Sequence, residues 1–173
     1  MILSVGLFWE RSNVFWGAGK QRGSLLGVPE KKVTSVPIDF RGQIGLYALY
    51  SDFELLYVGQ AGSGKRQTLW RRLKSHQKGY FADRWNRFSW FGMLWVRTNG
   101  RLSSPTAKFH PKRAEALDVI EAVVLETATP SLNSQSGRFG SGTTFFKQRR
   151  DPRLGPSDSE MLRLMHSQLV KQK

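Results

Sequence analysis

The stretch Gly45-Leu-Tyr-Ala-Leu-Tyr-Ser-Asp-Phe-Glu-Leu-Leu-Tyr-Val-Gly59 decides how the chain folds. Ile44 to Tyr50 is an apolar and aromatic run, the composition of a strand. Ser51-Asp52 supplies a turn, and Leu55-Leu-Tyr-Val58 returns, so the pattern predicts an antiparallel hairpin. Working outward, the glycine-rich Gln60–Arg66 predicts a loop, Gln67–Gln77 a helix and Trp90–Val96 a third strand. Asn99–Pro111 is polar loop. Ala114–Ala128 is the clearest helix, closed by Pro130. The section 44–133 therefore reads β-β-α-β-α. The fold class is α+β, a small and mainly antiparallel sheet flanked by helices.

The flanks decorate this core. Ile2–Trp9 reads as a strand, and Val14-Phe-Trp16 as a second after an Arg11-Ser-Asn13 turn. Gly17–Gly27 reads as loop, and Gly137–Pro156, rich in Gly, Arg and Pro, reads the same way. Ser157 with Glu160 is a capping-box signature for a last helix to about Lys171. Its Met161, Leu164, Met165 and Leu169 form one stripe, expected to dock on the core, with a homodimer seam as the alternative. The chain divides into an N-terminal β extension (1–43), a core (44–136) and a basic loop with a C-terminal helix (137–173). The apolar start, Met1 to Trp9, has no basic leader and no small-residue cleavage site, so it reads as a strand. With no run long enough for a membrane span, the expectation is a cytoplasmic protein with no membrane partner.

Charge narrows the function classes. The 173 residues hold 27 Lys and Arg against 13 Asp and Glu, a net charge of +14. Such a balance points to a polyanionic partner, most often nucleic acid; a merely cationic, soluble surface is the plainer alternative. The charge is organised. Eight basic residues and only Asp83 lie between Lys65 and Arg87, whereas Glu115 to Glu126 holds no Lys or Arg. The absence of cysteine excludes disulfides, thiolate zinc sites and cysteine nucleophiles, and three scattered histidines disfavour a multi-histidine metal site.

One motif misleads. Gly59-Gln-Ala-Gly-Ser-Gly-Lys-Arg66 almost spells a phosphate-binding P-loop, but Arg66 stands where a Ser or Thr hydroxyl would hold magnesium. The preceding strand is also hairpin-paired. A nucleotide cofactor is not expected, and a P-loop-like nucleotidase ranks third among the readings.

The chemistry-bearing constellation is Gly45-Leu-Tyr47, then Tyr57-Val-Gly59, then Leu69-Trp-Arg-Arg72-Leu73-Lys-Ser-His76, then Glu121 and Pro130-Ser-Leu-Asn133. In this order and spacing it resembles the GIY-YIG nuclease family, nearer its restriction and homing branches than its excision-repair branch. The resemblance implies catalytic roles for Tyr47, Tyr57, Arg72, His76, Glu121 and Asn133, with Glu121 holding a single Mg2+ or Mn2+. The lysine that follows the second triplet in some members is Gln60 here. The implied activity is metal-dependent endonucleolytic hydrolysis of DNA, duplex foremost. A nucleic-acid-binding module of the same fold without catalysis is the runner-up.

On a helical wheel, Leu117, Ile120, Val124, Leu125 and Ala128 form the expected buried stripe of 114–128, and Glu121 falls inside it. A carboxylate there is costly unless compensated, which a metal or an ion pair with Arg72 would do. Leu69 and Leu73 face inward, with Arg72 and His76 one turn apart at that face's edge. Arginine's planar fork suits a phosphate oxygen. A tyrosine hydroxyl, with Tyr47 favoured over Tyr57, would receive the water's proton. Its ordinary pKa of about 10 requires help from His76 or a metal. Backbone contacts are expected from Lys65, Arg66, Arg71, Lys74, Lys147, Arg149 and Arg150, the last three interleaved with Phe145 and Phe146.

Overall fold

The strands, in chain order, are β1 (Ser4–Glu10), β2 (Leu26–Pro29), β3 (Ile38–Asp39), β4 (Gly45–Ser51), β5 (Glu54–Ala61), β6 (Arg87–Gly92) and β7 (Thr144–Gln148). The helices are α1 (Leu69–Ser75), α2 (Arg113–Ala128) and α3 (Asp158–Lys171). This computed structural model describes residues 2–32, 35–62, 67–104, 113–128, 137 and 139–171; side chains are described outside 113–118 and 170–171. The fold is α+β. One seven-stranded sheet runs β3-β2-β7-β1-β6-β4-β5. All its pairings are antiparallel except that of β1 with β7.

The hairpin of β4 and β5 forms as its sequence predicts, turning at Asp52, whose φ is +52°. Gly45 at its start has a φ of +141°, and a Cβ there would meet the Phe91 carbonyl oxygen at 2.0 Å, so only glycine fits. Strands β4 and β6 are buried on both faces. Trp90 lies opposite Tyr47, and its neighbour Phe91 lies opposite Leu46 on the other side. On the first face Tyr47, Leu49, Phe88 and Trp90 pack with Leu69 and Leu73 of α1 and with Trp9, Phe40, Trp85 and Phe146. On the second, Val5 and Phe91 pack with Ala122 and Val123 of α2 and with Phe139. Aromatic edges and faces carry much of the first core. Phe40 sits 4.6 Å from both Trp90 and Phe146, ring centre to ring centre, within the range of favourable pairs.

Several expectations need correction. The third strand is Arg87–Gly92, earlier in the chain than Trp90–Val96, because Arg87 and Phe88 already pair with Tyr50 and Leu49. Val14–Trp16 is not a strand; Phe15 makes a single bridge to Ser24. Within Gly137–Pro156, expected to be loop, residues Thr144–Gln148 are β7, an interior strand between β1 and β2. Phe145 and Phe146 enter opposite cores, so these phenylalanines serve packing. In α2 the buried face is Ala122, Val123 and Thr127, with Val119 half-buried beside them. Ile120 and Val124 are 59% and 51% exposed, Ala128 and Glu121 are exposed, and Leu117 lies outside the described side chains. Of the expected stripe, Ile120, Val124 and Ala128 are therefore turned away from the sheet, while Leu125 is half-buried. The capping box of α3 forms, Ser157 N and Oγ both donating to Glu160 Oε2. Its apolar stripe does not dock: Met161, Leu164, Met165 and Leu169 are all exposed.

The flanking segments are tied together by Asp151. Its buried carboxylate accepts from Ser24 Oγ and from Arg153 Nε at 2.8 Å and Nη2 at 2.7 Å. Arg153's hydrogen bonds hold the carboxyl far below the usual carboxylate range, against the opposing effect of burial. A depressed folded pKa contributes stability above the unfolded value near 3.9, and that contribution is lost as pH falls below it. Asp151→Asn should cost about 1–3 kcal/mol at pH 7. It should also flatten the loss of stability between about pH 4 and pH 2, measured by urea unfolding at each pH. Equal acid sensitivity in both proteins would contradict this role. Phe146→Ala tests β7 itself. As a core residue it should cost about 3–5 kcal/mol, whereas a loop residue would cost almost nothing.

Candidate active site

The ring of Tyr47 lies across Gly59. The two residues are paired in register, and a Cβ at Gly59 would come within 2.5 Å of the Tyr47 hydroxyl oxygen. The second glycine of the motif is thus required by the first tyrosine. With that space clear, Tyr47 Oη meets His76 Nε2 at 2.7 Å in a buried hydrogen bond. His76 stands at the C-terminal cap of α1, its amide bonded back to Arg72 and Leu73 carbonyls. Helix entry is fixed from the opposite end: Leu69 N donates to Gln43 O at 2.7 Å. Trp85 Nε1 donates to the His76 carbonyl at 3.1 Å, which anchors the backbone that carries the imidazole.

Around this bond the site is aromatic on one side and cationic on the other. Tyr57 and Phe81 lie 5.1 Å and 4.9 Å from the His76 ring. Tyr47 and Tyr57 are 6.1 Å apart. Arg72 sits one helical turn before His76, and its Nε is buried with no hydrogen-bond partner among the described residues.

The electrostatics assign the protons. Burial pushes the Tyr47 hydroxyl up to about 12; the Arg72 cation opposes this rise and Tyr57 adds to it. His76 is shifted below its ordinary 6.5, first by burial and then by Arg72. At neutral pH Tyr47 is therefore a phenol and His76 a neutral imidazole. Arg72 presents only donors, which leaves the phenol proton to point at Nε2. The site as described carries positive charge and no carboxylate, and so suits an anion.

No family model matches the chain, and neither a curated protein nor a solved structure does.

The fold brings together four of the six residues expected to act: Tyr47, Tyr57, Arg72 and His76. Glu121 does not join them. It is an exposed residue of α2, whose buried face packs against Phe91 and Val5, on the side of the sheet opposite Tyr47. Asn133, Lys65 and Arg66 lie outside the described residues. A hard divalent ion asks for carboxylate or carbonyl oxygens. The side chains at Tyr47 are two phenols, an imidazole and a guanidinium, and no cluster of three or more metal-binding side chains gathers among the described residues.

The expected backbone-contact residues divide as well. Arg71 is exposed, as are Lys147 on β7 and Arg149 just past its end. Lys74 is half-buried: it donates to the Trp16 carbonyl at 2.8 Å and lies over the Trp70 ring. Arg150 donates to Ser12 O, Asn13 Oδ1 and Gly155 O. Both of these cations serve internal contacts. The near P-loop follows β5, which is antiparallel to β4 at the sheet edge and so lacks the parallel β-α-β setting of that motif. Phe81 and Trp85 were absent from the expected set; the hint in the sequence is three aromatics, Tyr80, Phe81 and Trp85, within the polar 78–87 stretch.

Gly59→Ala should displace the Tyr47 ring and break its bond to His76 while leaving the pairing of β4 and β5 in place. The His76 imidazole, titrated by proton NMR in wild type and variant, should then shift. An unchanged titration curve would show that Gly59 does not clear space for the pair.

Proposed function

We propose that the chain is a phosphodiester hydrolase of the GIY-YIG type acting on DNA, with Tyr47, His76, Arg72 and Tyr57 as its working set. The observation that carries this reading is the 2.7 Å bond between Tyr47 and His76, with the Arg72 guanidinium beside it. A phenol of pKa about 12 is no base at neutral pH by itself. Bonded to a neutral imidazole, it becomes one. Water gives a proton to Tyr47 Oη as the phenol proton passes to His76 Nε2, and the water oxygen attacks phosphorus. The bond from phosphorus to the leaving oxygen breaks, that oxygen keeps the electron pair and takes a proton from solvent water, and Arg72 offsets the charge that grows on a non-bridging oxygen. Tyr57 walls the same space and orders the incoming water. The net charge of +14 supplies the long-range attraction for the polyanion.

Dependence on Mg2+ through Glu121 is the part of the resemblance that the geometry does not supply, and no step above passes through an ion. That same placement of Glu121 favours the second reading, a nucleic-acid-binding module of this fold that does not cut.

A supercoiled plasmid incubated with and without Mg2+ separates the two. The hydrolase reading expects nicking that falls at least a hundredfold in Arg72→Ala and in His76→Ala, with circular dichroism unchanged. Nicking by a folded Arg72→Ala at the wild-type rate would refute the assignment. Glu121→Gln, being exposed, should leave stability unchanged, and its cleavage rate decides whether the carboxylate takes part. The relay also fixes the pH profile. Neutral His76 is the competent form, so the acid limb of the rate should have its midpoint below pH 6.5. A midpoint above 7 would mean that another group accepts the proton.

A further inference from the structure

A pocket of about 490 Å3 opens beside α1, on the flank away from Tyr47. Successive helical residues are set about 100° apart, so Arg72 and His76 occupy one flank while Trp70, Arg71 and Lys74 occupy the other. The facing wall comes from the N-terminal segment, through Arg22, Gly23 and Arg41. Four cations thus line the pocket and no carboxylate does.

The chain builds this wall with some care. A bridge between Phe15 and Ser24 and another between Ala18 and Gln21 close the loop that carries Arg22. Gly23 is buried under the Trp70 indole, and a Cβ there would come within 2.4 Å of that ring. Arg41 is fixed by the Gly23 carbonyl at 2.9 Å and by Asp39 at 3.5 Å. Lys74 lies over the Trp70 ring, 4.7 Å from its centre. Arg22 and Arg71 are different. Both are exposed, and neither side chain has a hydrogen-bond or ion-pair partner among the described residues. Two fixed cations, one of them paired with Asp39, and two uncommitted guanidinium forks face one cavity, a concentration of positive charge that attracts an anion. The planar fork of arginine matches phosphate oxygens.

We propose that this pocket holds the sugar–phosphate backbone of the nucleic acid at a second point, remote from the bond being cut. Arg22 and Arg71 grip phosphate, and Arg41 and Lys74 set the field. The proposal rests on the reading of the chain as a DNA-acting protein. It gives the N-terminal segment the task of holding substrate against the outer flank of the helix whose inner flank carries Arg72.

The test uses a fluorescently labelled DNA duplex, anisotropy over a series of NaCl concentrations, and single-turnover cleavage at saturating protein. The variants are Arg22→Ala, Arg71→Ala and their double, with Lys31→Ala/Lys32→Ala as a charge-matched control at an exposed turn. The double variant should raise Kd about tenfold at 100 mM salt and flatten the log–log slope by about 1.8, roughly 0.9 for each phosphate released. An unchanged slope, a control pair equal in effect, or no duplex binding by the wild-type chain would each overturn the pocket. The outcomes also separate the two proposals. Binding that weakens as expected in a chain that never cuts removes the hydrolase and keeps the pocket. Normal cutting with an unchanged slope does the reverse.

Discussion

Strands β4 and β6 are covered on both faces, and most of the architecture follows from this constraint. A strand buried on two sides must send adjacent residues into different cores, as Trp90 and Phe91 do. Each core then needs its own lid. The seven-residue α1 closes the first with Leu69 and Leu73, and α2 closes the second with Ala122 and Val123. Whatever the two helices carry is separated by the thickness of the sheet. Arg72 and His76 ride on α1 and meet Tyr47; Glu121 rides on α2 and does not. The division of the expected catalytic set is thus a consequence of packing, settled before any chemistry is considered.

The same constraint explains why glycine appears twice in the hairpin. Gly45 stands where the backbone runs against the Phe91 carbonyl, and Gly59 stands where the Tyr47 ring must cross. Neither is a flexible joint. Each is a gap that another group fills, and the buried bond between Tyr47 and His76 exists because the second gap is kept open.

The sequence was legible where local pattern and tertiary demand agree. The hairpin, α1 with its inward Leu69 and Leu73, and the Ser157–Glu160 box are written in spacing and turn chemistry. The phase of α2 was not legible. Ala114, Ala116, Leu117, Val119, Ile120, Ala122, Val123, Val124 and Leu125 spread apolar side chains nearly around the helix, so a wheel cannot say which side meets the sheet. Strand β7 was hidden for another reason. Five residues, Thr-Phe-Phe-Lys-Gln, sit among glycines and arginines, and an interior strand buries neighbouring phenylalanines on opposite faces instead of alternating apolar with polar. Of the site, the tyrosines, Arg72 and His76 could be read from the motif. The contributions of Phe81, Trp85 and Gly59 could not, because they depend on which rings come close in space.

The position of β7 also bears on how the chain is made. It is the piece that joins β2 to β1, and through it Glu10 bonds to Gln148, 138 residues away. During synthesis β1 and β2 emerge early, yet each lacks one neighbour until residues 144–148 have been added. Contacts so distant along the chain close slowly, and unpaired edges are open to wrong partners while they wait. A truncation that ends before Thr144 would leave two partial sheets with facing edges. The C-terminal segment is therefore the step that commits the nascent chain to its native sheet.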